Sequence, residues 1–150
     1  MNSDPFNRRG ENQPPARVAA DAYAADVALC EAVEREGGAW ANPSLLAYGA
    51  LAGGELLSLG AQANANRPVL RPVDAYGRRI DRVEFHPAWH RLMQLGAEHG
   101  VTGFAWRHAD RPGAHVARAA LMFLHYQAEQ GSGCPLTMTY ACVPTLRHAP

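Results

Sequence analysis

The chain has 150 residues, 47% of them apolar and 19% charged, with a formal net charge of zero. That is the composition of one globular domain, expected to bury roughly 70% of its unfolded surface. The charge balance argues against a dedicated nucleic-acid module, which needs excess cations to displace counterions, and against an electrostatic membrane anchor.

Residues 1–22 are rich in Asn, Pro, Arg and Gly, show no apolar period, and lack the apolar stretch of a signal peptide. A flexible N-terminal arm is expected there, with the folded domain spanning 23–150. The first helix is predicted to start after Asp26 as N-cap, to present Val27, Cys30 and Val33 at helical spacing, and to carry a Glu31–Arg35 pair. Gly37-Gly38 ends it. Asn42 is then expected to cap a second helix with Pro43 at its first position and Leu45, Leu46 and Leu51 facing inward. Gly53-Gly54 costs about 2 kcal/mol against alanine in a helix interior, so a break is expected before Leu56, Leu57 and Leu59 continue to about Asn64.

Between residues 69 and 85 the pattern changes. Val69 and Val73 mark one extended piece, and Val83 and Phe85 alternate with Arg82 and Glu84 on another. Asp74-Ala75-Tyr76-Gly77 is a turn signal, and Pro72 confines the hairpin to an edge. Pro87 opens a helix with Trp89, Leu92 and Met93 at i, i+3, i+4, with His99 in its last turn and Gly100 closing it. Arg107–Gly113 reads as a turn. A helix from about Pro112 to before Gly131 follows, with Val116, Ala120, Phe123 and Gln127 on one face. Leu121, Met122 and Leu124 make it apolar nearly all round, which predicts a buried central helix. After Gly131-Ser132-Gly133 a last helix is expected from Pro135, kinked or ended by Pro144. The longest apolar run, Ala119–Leu124, is too short to cross a bilayer.

The chemistry-bearing residues are sparse. His86 and His90 share a helix face, but no third ligand accompanies them, so capping and packing are expected rather than metal binding. Cys30, Cys134 and Cys142 are an odd number without CxxC spacing, which suggests reduced thiols in the cytoplasm. Packing is the expected role of all three, and Cys134, before a helix N-terminus, is the best nucleophile candidate among them. The aromatic residues are scattered rather than grouped with arginines. Arg78, Arg79 and Arg82 are offset by Asp74, Asp81 and Glu84. No Walker loop, GxGxxG after a strand, or GxSxG elbow occurs. The residues alone contain no complete active site.

Several segments resemble the adaptive-response (AidB-like) acyl-CoA dehydrogenases. The match is carried by Gly131-Ser-Gly-Cys-Pro-Leu-Thr-Met-Thr-Tyr-Ala-Cys-Val-Pro144 and by His115-Val-Ala-Arg-Ala-Ala-Leu-Met-Phe-Leu-His-Tyr-Gln127. Arg82-Val-Glu-Phe-His-Pro-Ala-Trp-His90, the 74–81 turn and Ala28-Leu-Cys-Glu-Ala-Val33 add to it. The resemblance implies an all-α domain with one small β-hairpin, the N-terminal helical domain of that family, incomplete and truncated before the flavin-binding middle domain.

It implies FAD and dehydrogenation of an acyl-CoA thioester for the full-length protein, and homo-oligomers. DNA contacts, tied to an alkylation response, would come through a missing C-terminal region. The family's flavin-binding segment of the form MTEKxGGSD and its catalytic carboxylate fall outside this sequence. No catalytic or cofactor-binding residue therefore transfers, and FAD is not expected on this chain alone. At most, Thr137, Met138 and Tyr140 would line the acyl pocket. The expected role is structural, in oligomerisation and as a pocket wall; the alternative is a stand-alone helical interaction module derived from the same fold.

Overall fold

The structure, a computed structural model, describes residues 20–148. Seven helices and one hairpin are found among them: α1 (Val27–Arg35), α2 (Asn42–Ala52), α3 (Glu55–Ala65), β1 (Val69–Val73), β2 (Arg79–Glu84), α4 (Pro87–Glu98), α5 (Phe104–Arg107), α6 (Ala114–Ala128) and α7 (Gly133–Arg147). The mainly helical fold expected from the sequence is therefore present. α6 is the axis: α1, α2, α3, α5 and α7 all pack on it, while α4 pairs with α3 and α7. Its Ala117, Leu121 and Leu124 are fully buried, as its apolar pattern requires. The solvent side of α6 is a narrow stripe of His115, Ala119, Phe123 and Tyr126.

The expected arm lies largely in residues 1–19, outside the described residues. Ala20–Tyr23 already pack on α2. The Asp21 carboxylate accepts from the N–H groups of Tyr23 and Ala24, both at 2.9 Å, and the Ala22 N–H donates to the Gly49 carbonyl at 2.9 Å. A Cβ on Gly49 would collide with Asp21 and Tyr23, and one on Gly53 with the Ala20 carbonyl oxygen. Gly53 therefore admits this segment as well as breaking the helix, and α2 and its 3₁₀ lead-in meet α3 at 47°.

Several local expectations are corrected. Asp26 caps α1 through the Leu29 N–H at 2.9 Å, as expected, but Val27 at its outer edge is 66% exposed. Arg35 pairs with the adjacent Glu36 rather than Glu31. Asn42 is not a cap: a 3₁₀ turn, Ala39–Ala41, runs straight into α2, and the Asn42 side chain instead accepts the Tyr23 hydroxyl at 2.7 Å. Leu45 is buried, but Leu46, one residue on, points outward at 43% exposure. The turn expected from Arg107 is present over residues 108–113, and a short helix, α5, that was not expected precedes it. Phe85 lies just beyond β2. α7 begins at Gly133 and continues through Pro144.

The hairpin is antiparallel with an irregularity between Arg71 and Val73, where Pro72 breaks the ladder. Leu70 faces Val83 across one side, and Arg71 faces Arg82 on the other. Both strands are exposed throughout. Among the described residues no single helix is long and apolar enough to cross a membrane.

Candidate functional site

The most ordered polar feature is a buried chain of side chains across α2, α6 and the α6–α7 corner. The Tyr48 hydroxyl lies 2.6 Å from His125 Nδ1, and His125 Nε2 lies 2.8 Å from Ser132 Oγ. Ser132 Oγ donates to Glu129 Oε2 at 2.5 Å, while the N–H groups of Ser132 and Gly131 donate to Oε2 and Oε1. Tyr48, His125 and Ser132 are fully buried and Glu129 is 5% exposed.

The proton positions follow from the acceptor at one end. An ionised carboxylate has no proton to give, so Ser132 donates to Glu129 and must accept from His125. The Nε2–H tautomer leaves Nδ1 bare, and Tyr48 donates to it. Burial pushes the His125 pKa down, against the nearby Glu129 charge, and keeps the ring neutral. Burial raises the Tyr48 hydroxyl well above its usual range. For Glu129, burial pushes upward, but the bonds from Ser132 and Gly131 outweigh it and hold the carboxylate below its usual range.

Two glycines let neighbouring helices close over this corner. A Cβ on Gly96 of α4 would lie 2.7 Å from Leu136 Cδ1, and one on Gly60 of α3 would lie 2.7 Å from the Ala128 carbonyl oxygen. The arrangement is not a hydrolytic triad: the carboxylate grips the serine instead of the histidine, and the serine is closed to solvent. It is a lock joining three helices. The signal for it in the sequence was a histidine that, like Arg118, falls on the buried side of a largely apolar helix.

A second cluster fixes α7. Pro144 has no N–H to give the Tyr140 carbonyl four residues earlier, and Trp106 Nε1 donates to that carbonyl at 3.0 Å instead. The Tyr140 ring stacks on Trp106 at 5.1 Å between centroids, and its hydroxyl meets His115 Nδ1 at 2.6 Å. The Arg118 guanidinium lies 3.8 Å over the same ring and donates Nε to the Val101 carbonyl at 2.9 Å. Arg147, one turn past Pro144, lies 5.0 Å over Trp106.

This cluster separates the three residues expected to line a pocket. Tyr140 is on the inner side of α7, held against α5 and α6. Thr137 is half-buried, its hydroxyl 3.7 Å from Met122 Sδ. Met138 is on the opposite side at 64% exposure, with Cys134, Cys142 and Leu146 also exposed. Met138 and Tyr140 therefore do not face a common space.

The remaining candidates resolve individually. His86 caps α4, its Nδ1 accepting from Ala88 N at 3.2 Å, and His90 packs on Trp89. Among the described residues no group of three or more His, Cys, Asp or Glu is placed to hold a metal. Cys30 is half-buried, its thiol 3.2 Å from the Tyr23 carbonyl. Cys142, on α7, and Cys134, at the start of that helix, are both exposed instead of packed. At the hairpin, Arg79 pairs with Asp81 at 2.6 Å and Arg71 with Glu84 at 3.1 Å, and Asp74 accepts the turn N–H groups of Tyr76 and Arg78.

Comparison with known proteins places this architecture. Residues 12–150 match the family described as the adaptive response protein AidB N-terminal domain. The chain is 50% identical over 136 residues to AidB of Escherichia coli (strain K12), provisionally named an acyl-CoA dehydrogenase, covering 90% of this chain and 25% of that protein. It is 33% identical over 93 residues to acyl-CoA dehydrogenase family member 11 of Caenorhabditis elegans, covering 61% of this chain and 15% of the relative. The solved structure of ACDH-11 of Caenorhabditis elegans in complex with C11-CoA superposes with a TM-score of 0.80 at 26% identity, over 93% of this chain and 24% of that one. The apo form of Bd2924 superposes with a TM-score of 0.76 at 27% identity, over 85% and 26%. The chain thus spans about a quarter of the length of the Escherichia coli relative and of the two solved structures.

Proposed function

This chain belongs to the adaptive response protein AidB N-terminal domain family, and from that premise we propose that it is the N-terminal helical part of an FAD-dependent acyl-CoA dehydrogenase of the alkylation-response type. Its role is structural. It supplies a wall of the acyl-CoA site and a surface for subunit assembly, and is not catalytic by itself. The observation that carries this reading is the close superposition on ACDH-11, solved with C11-CoA, over nearly the whole described chain.

The described residues do not fit a flavin on their own. The glycine doublets that could cradle a phosphate face their own chain: the space beside Gly53 is taken by Ala20, and that beside Gly38 by Val33. No step of the reaction is assigned to this chain. Its contribution is positional. The Trp106–Tyr140–Arg118 cluster holds the inner side of α7, so the opposite side, with Met138, is presented at a fixed height and register. An apolar thioether at that position suits an acyl chain and offers no proton to the chemistry. Thr137, between the two sides, is the boundary residue of the proposed wall.

The test is to read the gene past the codon for Pro150. An open frame that reaches a segment of the MTEKxGGSD type is the expected result. The encoded full-length protein should then purify yellow, and Met138→Trp should raise KM for long acyl-CoA thioesters more than for short ones. A stop codon at that point would overturn the reading in favour of a stand-alone helical interaction module.

A further inference from the structure

A cavity of about 210 Å³ lies where the C-terminal end of α3, the base of the hairpin, the first turn of α4 and the α6–α7 corner meet. Its lining includes Asn66, Phe85, His86, Trp89 and Glu129. Two of its walls have opposite chemistry. Phe85 and Trp89 stack with ring centroids 4.1 Å apart and planes at 21°, which makes one wall a packed aromatic pair. The other wall carries Glu129, which is 5% exposed.

Among the described residues Glu129 is a buried anion without a cation. It takes part in no ion pair among the described residues. Its neighbour in the lock, His125, is neutral by the tautomer argument above. Its carboxylate accepts from Gly131 N, Ser132 N and Ser132 Oγ. A carboxylate has about four acceptor positions, so one remains for a further donor. Asn66 donates its Nδ2 to the Gln62 carbonyl at 2.8 Å, which leaves its side-chain oxygen as a second acceptor at the same cavity. A buried charge is ordinarily paired, and an alkylammonium ion gains a charge-assisted bond to the carboxylate at its head and apolar contact with the aromatic pair along its stem.

We propose that this cavity is a binding site for a small primary alkylammonium ion, with its N–H groups on Glu129 and Asn66 and its alkyl stem against Trp89 and Phe85. The cavity is smaller than the roughly 300–1,000 Å³ of typical ligand sites, which limits the ligand to a few heavy atoms. Among the described residues no arginine lines the cavity, which disfavours anions; Arg67 borders the neighbouring groove, together with Glu84. The site is separate from the α7 wall and does not depend on the acyl-CoA reading.

The experiment is to titrate the 150-residue chain with n-propylammonium, and separately with n-propanol, at constant ionic strength. Heat is followed by calorimetry, and the Trp89 indole N–H by NMR, its resonance assigned with Trp89→Phe. Saturable binding is expected with a dissociation constant on the order of 1 mM, and at least about tenfold weaker binding of the alcohol. Glu129→Gln should weaken the ammonium about tenfold or more. Because Glu129 also belongs to the lock, Phe85→Leu, which leaves the lock untouched, is the second variant and should weaken binding severalfold with an unchanged circular dichroism spectrum. Lack of saturation at Trp89, equal binding of the alcohol, or full binding by Glu129→Gln would each overturn the proposal.

Discussion

The Tyr48 hydroxyl is the donor to His125 Nδ1 at 2.6 Å, across 77 residues of sequence, and it ties the first half of the chain to the central helix. Removing both partners should cost less than the two single removals added together. Tyr48→Phe leaves a buried imidazole nitrogen without a donor and should lower stability by about 1–3 kcal/mol. Adding His125→Leu should cost less than the sum of the single changes, with a coupling of at least about 0.5 kcal/mol. Urea unfolding of the four proteins of this cycle measures it; strict additivity would mean that the two residues do not act together.

Acid should loosen the lock in two stages. The folded-state pKa of His125 is depressed below its ordinary 6.5. The unfolded chain therefore binds a proton that the folded chain refuses, and stability falls as pH drops below about 6.5. Glu129 is also depressed, from an ordinary 4.5. Its contribution is complete above that value and is lost as pH falls through its lower folded value. The urea midpoint should be steady above neutrality, decline first below about pH 6.5, and decline again below about pH 4.5. In a folded His125→Leu variant the first decline should shrink.

The Trp106–Tyr140 hydrogen bond replaces one that Pro144 cannot make. Trp106→Phe should therefore cost about 1 kcal/mol, since it leaves the Tyr140 carbonyl without its donor. Pro144→Ala supplies a helical N–H for that carbonyl, so the same Trp106→Phe change should be milder in the Pro144→Ala background. An equal cost in both backgrounds would show that the indole acts through packing alone.

Gly53 and Gly77 should respond to alanine for different reasons. A Cβ at Gly53 meets the Ala20 carbonyl, whereas Gly77 has open space but a φ of +77°. Gly53→Ala should expel the Ala20–Tyr23 segment and expose Tyr23, at a cost of about 1–3 kcal/mol. Gly77→Ala should cost about 1 kcal/mol or less and change the hairpin alone. Limited proteolysis near residue 20, together with thermal melts, distinguishes the two.

The outer side of α7 and the solvent stripe of α6 expose Met138, Leu146, Phe123 and Tyr126. Isolated in solution, the chain should self-associate through such a surface. Light scattering should show a concentration-dependent rise in mass, reduced in Met138→Glu/Leu146→Glu. A monomer at all concentrations would count against it.

The helical architecture was legible because its signals are local. Asp26, Pro87 and Gly37 act within a turn of where they stand, and the all-round apolar pattern of residues 114–128 leaves a central position as its natural solution. The hairpin was legible from alternation and the Asp74–Gly77 turn. What escaped depends on partners distant in sequence. Asn42 looks like a cap until Tyr23 is seen to use its oxygen. Pro144 looks like a terminator until Trp106 is seen to take the freed carbonyl. Ser132 looks like a turn residue between two glycines, and nothing near it in sequence announces Tyr48. The Thr137, Met138 and Tyr140 trio came from resemblance, and sequence spacing gave no view of which side of α7 packs inward.

The geometry of the lock also sets an order of assembly. His125 and Ser132 are 7 residues apart and can meet as soon as the corner after α6 turns. Tyr48 must wait for a loop an order of magnitude longer to close. During synthesis α1, α2 and the Tyr23–Asn42 contact leave the ribosome first, carrying a tyrosine whose acceptor has not yet been made. The first half of the chain thus waits with an unmatched polar group until α6 arrives and the two halves close on each other.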